Sequence, residues 1–442
     1  MDDLPYIASF PTAAVLTIFL LLACRYAGVA GPIHLIHRNP KYLVHADTTA
    51  PPTPRVPKQS PLPPDWFTSP TLLPLENRAL HSTTWHALLH SSRLANPGSY
   101  ITLTLATYPL ILIRGRDDVI RAFHNVCRHR AYAVARKETG KSLVLRCGYH
   151  GWCYDARGEL VKAPQFEGIE GFEREENGLF EVGCVTDGDG LVWVNLDRRR
   201  ERGTPEKHEI GEWVRQRGMR MEEGVWVEGW DVEGEFNWKV AAQRPGQIVS
   251  SSPFFRSYWR NRLSSAAGWL RKNFYSEAEF RASFAVSMLT SIHLVPATSA
   301  WVMSTVFPSS ATRSKVRFDV YSCEGAERFA VNPGETDAVK QQSEVWVQRL
   351  AETQSAIDRD GGVRAMSSVS LEETQHDILK RLRAHVKLEQ VGGEEIYPAS
   401  PRQTKRDNVC EGKAEKLCSQ LEGSRTGIAC DVGGGQNPLL AW

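Results

Sequence analysis

Two short segments of this 442-residue chain each combine a cysteine with a histidine. The first is a C-x-H motif formed by Cys127 and His129, and the second is a C-x-x-H motif formed by Cys147 and His150, with seventeen residues between them. Thiolate sulfur and neutral imidazole nitrogen are both ligands for transition metals and zinc. The spacing therefore predicts two loop tips, each with one sulfur and one nitrogen donor, that face each other across a metal centre.

Two kinds of metal centre use this set of donors. A Rieske [2Fe–2S] cluster has two thiolates on one iron and two imidazoles on the other. A structural zinc site uses two cysteines and two histidines in one tetrahedron, but zinc fingers place the two cysteines together and the two histidines together along the chain. Because each half of this sequence mixes the donors, the pattern favours the cluster. Cys127 and Cys147 would then bind the inner iron, and His129 and His150 the outer, more exposed iron, with zinc as the alternative.

The elements that must position these loops are mostly β-strands. Between residues 99 and 197 short runs rich in β-branched and aliphatic residues alternate with turn signals, which is typical of a small antiparallel β domain. The clearest runs are 100–105, 110–113, 142–145 and 191–194. After Pro205 the pattern changes to mixed α and β, and the fold class is therefore α+β. Strands are predicted at 300–307 and 315–322, and helices at 335–358 and 371–390.

At these residues the sequence resembles the α subunits of the Rieske non-haem iron oxygenases, the aromatic-ring-hydroxylating and choline-monooxygenase-like group. The resemblance runs from about residue 65 to residue 239. It rests on the two cluster loops and on segments 66–67, 154–158, 191–196 and 236–239, with Glu76 and Trp85. It implies an N-terminal Rieske antiparallel β domain at 65–200. A mixed α/β, helix-grip-like catalytic domain, truncated or divergent, would follow at 201–400.

The resemblance also implies a function. Members of this family pass electrons from a flavin- or ferredoxin-type reductase through the [2Fe–2S] cluster to a mononuclear Fe(II), which activates O₂ for hydroxylation of a small organic substrate. For this chain it implies a Rieske monooxygenase or dioxygenase acting on a quaternary amine or an aromatic compound. A homotrimer is the implied assembly.

One part of the family pattern is missing from this sequence. The two histidines of the mononuclear iron site are expected as H-x4-H shortly after the Asn237-Trp238-Lys239 segment, yet no histidine occurs between His208 and His293. No mononuclear-iron ligand and no catalytic residue is therefore assigned. A catalytically inactive, cluster-binding electron-transfer protein is the alternative to the oxygenase. His293, His376 and His385 are the only later histidines, and His293 is predicted to lie on a strand.

Composition excludes some classes of protein. The formal net charge is +2 and no block of Lys and Arg stands out, so nothing favours a nucleic-acid partner. The nine cysteines are scattered and odd in number, which fits a reducing compartment better than a disulfide scaffold.

The two ends of the chain differ from its middle. Residues 4–24 contain no charged side chain, which predicts a membrane anchor at 1–30. Asp2 and Asp3 precede the run and Arg25 and Arg38 follow it, so the rest of the chain is expected on the cytoplasmic side. A cleaved signal peptide is disfavoured because its n-region would be acidic. A Pro-rich linker is predicted at 31–64 and a polar, Gly-rich tail at 401–442.

Overall fold

The computed structural model describes nine segments of the chain. They are residues 62–63, 65–166, 168–197, 203–206, 208–242, 283–295, 298–323, 333–359 and 369–398. The predicted anchor at 1–30, the linker up to residue 61 and the tail at 401–442 lie outside these residues. In the segments that are described, no helix combines the length and apolar character needed to cross a membrane. The predicted domain boundaries at 200 and 400 stay predictions.

The first half of the described chain forms two antiparallel sheets. A seven-stranded sheet has the order β1-β10-β9-β4-β3-β2-β5, and a three-stranded sheet has the order β6-β7-β8. The strands of the larger sheet are β1 His86–His90, β2 Ser99–Leu105, β3 Tyr108–Arg114, β4 Ile120–His124, β5 Thr139–Lys141, β9 Glu181–Thr186 and β10 Leu191–Asn195. Those of the smaller sheet are β6 Val144–Arg146, β7 Cys153–Asp155 and β8 Leu160–Lys162. The antiparallel β domain expected from the sequence is therefore confirmed.

The second half adds a five-stranded antiparallel sheet and helices. The sheet has the order β11-β15-β14-β13-β12. Its strands are β11 Val225–Gly234, β12 Ser283–Ala285, β13 Thr290–Leu294, β14 Ala300–Pro308 and β15 Ser314–Ser322. The α-helices of the described chain are α1 Leu72–Glu76, α2 Ile210–Arg215, α3 Trp238–Ala242, α4 Pro333–Arg359 and α5 Val369–Gly392. The two predicted strands and two predicted helices of this half are confirmed within two residues at each end.

Strand β3 is buried on both faces, and this divides the interior into two hydrophobic clusters. Leu110 and Leu112 point to a large cluster that is shared with the five-stranded sheet and α4. Ile111 and Ile113 point the other way, to a second cluster that contains Cys127 and Cys147. Because side chains alternate between the two faces of a strand, one apolar run supports both cores.

The second cluster is closed by the turn between β7 and β8. Gly158 has a φ of 79°, a conformation that favours glycine. A Cβ at this position would also clash with the ring of Phe123 on β4. The glycine therefore lets the three-stranded sheet lie directly against the larger sheet, with the apolar side chains of the second cluster between them.

A buried ion pair connects the start of the described chain to α3. The carboxylate of Glu76 accepts hydrogen bonds from the Lys239 ammonium and from Nε1 of Trp238, the latter at 2.7 Å. Both charged side chains are 1% exposed. The Lys239 Nζ also lies 4.8 Å from the centroid of the Trp66 ring. Burial lowers the pKa of Lys239, and the neighbouring Glu76 carboxylate acts in the opposite direction to keep the ammonium charged.

This pair predicts a large and asymmetric stability effect. Lys239→Met leaves the Glu76 carboxylate buried without its cation, so the free energy of unfolding in urea should fall by about 3–5 kcal/mol. The double variant Glu76→Leu/Lys239→Met removes both charges and should recover much of that loss. Arg381→Met, which removes an exposed i,i+4 partner of Asp377, is the control and should cost less than about 1 kcal/mol. A double variant no more stable than Lys239→Met would show that packing, and not the unpaired charge, causes the loss.

Candidate metal centre

The two cysteine–histidine loops are built on the same hydrogen-bond pattern. In the first loop the Cys127 N–H donates to the carbonyl of Tyr132 at 2.7 Å, and the Ala131 N–H donates to the carbonyl of Cys127 at 2.9 Å. In the second loop the Cys147 N–H donates to Trp152 at 2.8 Å and the Gly151 N–H to Cys147 at 3.1 Å, so the offsets of five and four residues repeat.

The backbone conformation also repeats between the loops. The fifth residue of each has a positive φ, 52° at Ala131 and 76° at Gly151. Because the turns are alike, each cysteine begins a turn at the bottom of its loop and each histidine lies near the tip.

The sulfur atoms of the two loops are close together and buried. Cys127 and Cys147 are each 2% exposed, and their side chains interact through a hydrogen bond. That bond lowers the pKa of Cys147 to about 6 and raises the pKa of Cys127, because one thiol donates to the thiolate of the other. Backbone amides add to this environment: the His129 amide donates to the Cys127 sulfur, and the His150 amide donates to the Cys147 sulfur. The site is therefore suited to thiolate sulfur, the form that binds iron.

The imidazoles of the two loops lie beside each other nearer the surface. The ring centroids of His129 and His150 are 4.4 Å apart, and both side chains are partly exposed. Trp152 stacks on His129 with a centroid distance of 5.0 Å and an interplanar angle of 6°. Burial lowers the pKa of His129 to about 4, and the neighbouring His150 and Arg130 act in the same direction. The ring is therefore neutral near pH 7, as a metal ligand must be.

Tyr154 connects the sulfur pair to the backbone of the first loop. Its hydroxyl lies 3.3 Å from the Cys127 sulfur and accepts a hydrogen bond from the Arg128 N–H at 3.0 Å. Burial raises the pKa of Tyr154 well above its usual value, so the hydroxyl keeps its proton. A thiolate has no proton to give, and with a deprotonated Cys127 the tyrosine is therefore the donor.

The residues fit a [2Fe–2S] group with mixed ligands. The sulfur donors form one pair, deep in the second hydrophobic cluster, and the nitrogen donors form another pair toward the surface. Each iron of a Rieske cluster takes two protein ligands, so two pairs are the expected arrangement. In the segments described, no three or more His, Cys, Asp or Glu side chains are grouped as one metal ion would require.

Other histidines and cysteines of the described chain have different surroundings. His124 is a buried strand histidine, 3% exposed at the end of β4. The Cys153 thiol donates to the carbonyl of Gly151 at 3.2 Å, and Cys184 is partly buried on β9. His293 lies on β13, as predicted, between the hydroxyls of two serines, Ser283 and Ser304, at 2.7 and 2.8 Å.

Tyr154 belongs to one of the segments that carry the family resemblance, but the sequence pattern does not place Tyr154 or Trp152 at the metal centre. The signal in the sequence is that both are aromatic residues a few positions after His150. Their distance from Cys127 and His129 depends on how the two loops fold together, which spacing along the chain does not show.

Comparison with known proteins identifies the class of this part of the chain. Residues 84–173 match the profile of the Rieske [2Fe–2S] domain. The cofactor that the sequence predicted is thereby confirmed.

The chain is also similar in sequence to oxygenase subunits, as the sequence resemblance indicated. The chain is 29% identical over 175 residues to a carnitine monooxygenase oxygenase subunit of Acinetobacter pittii, which is 40% of this chain and 47% of that protein. It is 38% identical over 125 residues to a 2-aminobenzenesulfonate 2,3-dioxygenase α subunit of an Alcaligenes species, covering 28% of this chain and 32% of the relative. The chain thus matches less than half the length of these relatives. Over that part it is similar to oxygenase subunits of this kind.

Solved structures of the same group share the fold. A quaternary ammonium Rieske monooxygenase in complex with L-carnitine aligns with a TM-score of 0.57 and 19% identity, over 72% of this chain and 95% of that chain. Naphthalene 1,2-dioxygenase with indole bound aligns with a TM-score of 0.51 and 19% identity, over 67% and 79% of the two chains. The described sheets and helices therefore form a Rieske-type oxygenase fold.

The Tyr154 hydroxyl is expected to raise the reduction potential of the cluster. A hydrogen bond to a thiolate ligand is stronger in the reduced state of the cluster, which carries one more negative charge. Tyr154→Phe should therefore lower the midpoint potential by about 30–60 mV, where about 59 mV corresponds to a tenfold change in the equilibrium constant for one electron. Redox titration followed by EPR measures the shift. Tyr149→Phe is the matched control, because its exposed ring contacts His150 while no contact between its hydroxyl and sulfur is seen. Equal shifts in both variants would contradict this role of Tyr154.

Proposed function

We propose that Cys127, Cys147, His129 and His150 ligate a [2Fe–2S] cluster, with the cysteines on the inner iron and the histidines on the outer. On this basis the chain is a Rieske iron–sulfur oxidoreductase of the ring-hydroxylating and choline-monooxygenase-like group. It would pass reductase-derived electrons toward O₂-dependent hydroxylation of a substrate. The observation that carries the proposal is the separation of donors, with two buried sulfurs joined by a hydrogen bond and two partly exposed imidazoles side by side.

The residues of the chain have distinct tasks in this function. A Rieske cluster accepts and passes on one electron at a time. The backbone amides of both loops stabilise negative charge on the sulfurs, and Tyr154 adds a donor to Cys127. Trp152 holds the His129 ring by stacking, and the ring of Phe166 contacts the same histidine at 5.0 Å. These contacts keep the imidazoles oriented toward the surface, where an electron partner can approach.

The substrate is proposed to be a small organic molecule, either a quaternary amine or an aromatic compound. The named relatives support this range, since one is a carnitine monooxygenase subunit and another a dioxygenase of an aromatic sulfonate. The relatives' names also include a glycine betaine monooxygenase subunit and biphenyl dioxygenase α subunits.

A second candidate function rests on a specific observation in the sequence. No H-x4-H pair follows Lys239, although the family places the mononuclear iron ligands there. Helix α3 ends at Ala242, and residues 243–282 lie outside the described segments. The alternative is a cluster-binding electron-transfer protein that does not itself activate O₂.

The partners and the location are part of the same proposal. A flavin- or ferredoxin-type reductase would supply the electrons, and a homotrimer would be the assembly. Location on the cytoplasmic face of a membrane, by way of an anchor at 1–30, is supported by the uncharged run at 4–24 and by the basic residues after it.

Iron and sulfide content separates the two candidate functions. Protein purified or reconstituted without oxygen should contain two irons and two acid-labile sulfides per chain if it is only an electron-transfer protein. Three irons per chain would show that a mononuclear site exists and would support the oxygenase. Elemental analysis with a sulfide assay provides both numbers, and zinc without sulfide would contradict both functions.

Substitution of individual donors tests the ligand set. Cys147→Ser removes a thiolate and His150→Ala removes an imidazole, so each should abolish the Rieske EPR signal of the reduced protein. Cys153→Ser is the matched control, since its thiol contacts a backbone carbonyl and not the sulfur pair, and the signal should persist. Loss of the signal in Cys153→Ser, or its survival in His150→Ala, would show that the ligand set is wrong.

A further inference from the structure

Two buried histidines lie side by side near the start of the described chain. His81 and His86 are both 0% exposed, and their ring centroids are 6.0 Å apart with an interplanar angle of 46°. Among the described residues, no hydrogen-bond partner is found for either ring nitrogen of His81 or for Nδ1 of His86. Buried polar atoms in folded proteins nearly always have a partner, so three such nitrogens in one place predict a bound ligand.

The ring of His86 is held in the tautomer that leaves Nδ1 as an acceptor. The Thr84 hydroxyl donates to the carbonyl of Leu80 at 2.8 Å, and its oxygen lies 2.9 Å from Nε2 of His86. Because the hydroxyl proton is already given to Leu80, the oxygen accepts the Nε2 proton, and the lone pair of the ring is on Nδ1. Histidines that bind metals usually donate their second N–H to a fixed oxygen in this way.

A π-helical turn, Asn77–His81, brings a third donor to the pair. The Ser82 N–H donates to the carbonyl of Asn77 at 3.0 Å, and the side chain of Asn77 lies one turn before His81. Asn77 is 4% exposed, and no partner for its Oδ1 is found in the described part of the chain. Turns of this kind are frequent at functional sites. The amide oxygen stands in place of a third His, Cys, Asp or Glu, since the described segments contain no such group of three.

Charge and spacing both permit a divalent ion between the two rings. Burial lowers the pKa of His86 to about 4 and that of His81 well below its usual value, so both rings are neutral near pH 7 and can act as ligands. The Lys239 ammonium also disfavours charge on His81, but the Glu76 carboxylate pairs with it, so the pair adds no net charge.

The distance between the rings is within reach of a single ion. Two imidazoles bound to one ion at about 2.1 Å have ring centroids no more than about 6.5 Å apart. The observed 6.0 Å between His81 and His86 lies inside this limit. Imidazole nitrogen with an uncharged oxygen suits divalent ions such as zinc and the neighbouring transition metals.

We propose that His81 and His86, with the amide oxygen of Asn77, form a binding site for one divalent first-row transition-metal ion. The site shares no residue with the four cluster donors and does not depend on the proposed function. Its histidines precede the cluster loops and do not follow Lys239, so they are a different pair from the one that the family resemblance implies. A bound ion joins the π-helical turn to the first residue of β1 and stabilises the folded chain.

Zinc binding to the cluster-loaded full chain tests the site directly. Calorimetric titration of chelator-treated protein with Zn²⁺ should show one site per chain. His81→Leu and His86→Leu should each weaken the affinity by about tenfold or more, because each removes one of three donors. X-ray absorption at the zinc edge should show nitrogen and oxygen ligands at about 2.0–2.2 Å and no sulfur at about 2.3 Å. Sulfur in the zinc shell would place the ion at the cysteine loops and overturn the site.

Thr84 provides a finer test, because it positions His86 through Nε2 and not through the metal-binding nitrogen. Thr84→Val removes the acceptor of the Nε2 proton and should weaken zinc binding by about tenfold, as loss of an outer-shell partner typically does. Thr84→Ser keeps the hydroxyl and should restore the affinity. Equal affinity in Thr84→Val and the wild type would contradict this arrangement of the His86 ring.

His293→Leu is the matched control for loss of a buried histidine. His293 is also 0% exposed, but both of its ring nitrogens have serine hydroxyl partners, so its replacement should leave zinc affinity unchanged. Weakening equal to that of His81→Leu would show that damage to the core, and not a lost ligand, causes the effect.

Unfolding in urea separates a metal site from a pair of histidines that is only buried. An ion that binds the folded chain alone raises the folding equilibrium constant about 100-fold when free zinc is about 100 times its Kd. This gain should appear in the wild type and be absent in His81→Leu and His86→Leu. A wild type without a zinc-dependent gain, or variants that keep it, would overturn the proposal.

Discussion

The structure depends on one constraint, which is that two sulfur donors must be buried and adjacent while two nitrogen donors reach the surface next to them. A buried thiolate is costly unless hydrogen bonds stabilise its charge. The amides of the loops and the hydroxyl of Tyr154 supply these bonds to Cys127 and Cys147. The histidines lie two and three residues further along their turns, which is enough to bring the rings to the tips.

The β-sheets and the residues next to them hold the ends of both loops in place. The second loop is closed by the pairing of Arg146 on β6 with Cys153 on β7, so its six intervening residues have no freedom to open. The first loop leaves β4 at His124 and is anchored where the side-chain amide of Asn125 donates to the carbonyl of Ala135 at 2.8 Å and accepts from the Ala135 N–H at 2.9 Å. Each loop is thus held at both ends, and the relative position of the two cysteines follows from the packing of the two sheets.

Contacts with the second half of the chain support the first half, which contains the two cysteine–histidine loops. Arg78 pairs with Glu389 of α5 at 2.8 Å, and Trp238 of α3 donates to Glu76. The large hydrophobic cluster runs without a break from β3 to β14 and β15. Because the buried charges and the apolar cluster span both halves, the metal loops are supported by the fold as a whole and not by the smaller sheet alone.

The sequence alone predicted the antiparallel β class of the first half and the later strands and helices, and it predicted the four donor residues that the structure brings together as two pairs. It could do so because these features depend on residue type and on local period: a mostly apolar run in β14, partial alternation in β15, long helical patterns in α4 and α5, and two motifs of fixed spacing. Only the tertiary structure decided that Tyr154 lies against Cys127, that Trp152 stacks on His129, and that Lys239 pairs with Glu76. These contacts join residues whose separation along the chain carries no information about distance, since each depends on how sheets and helices pack together.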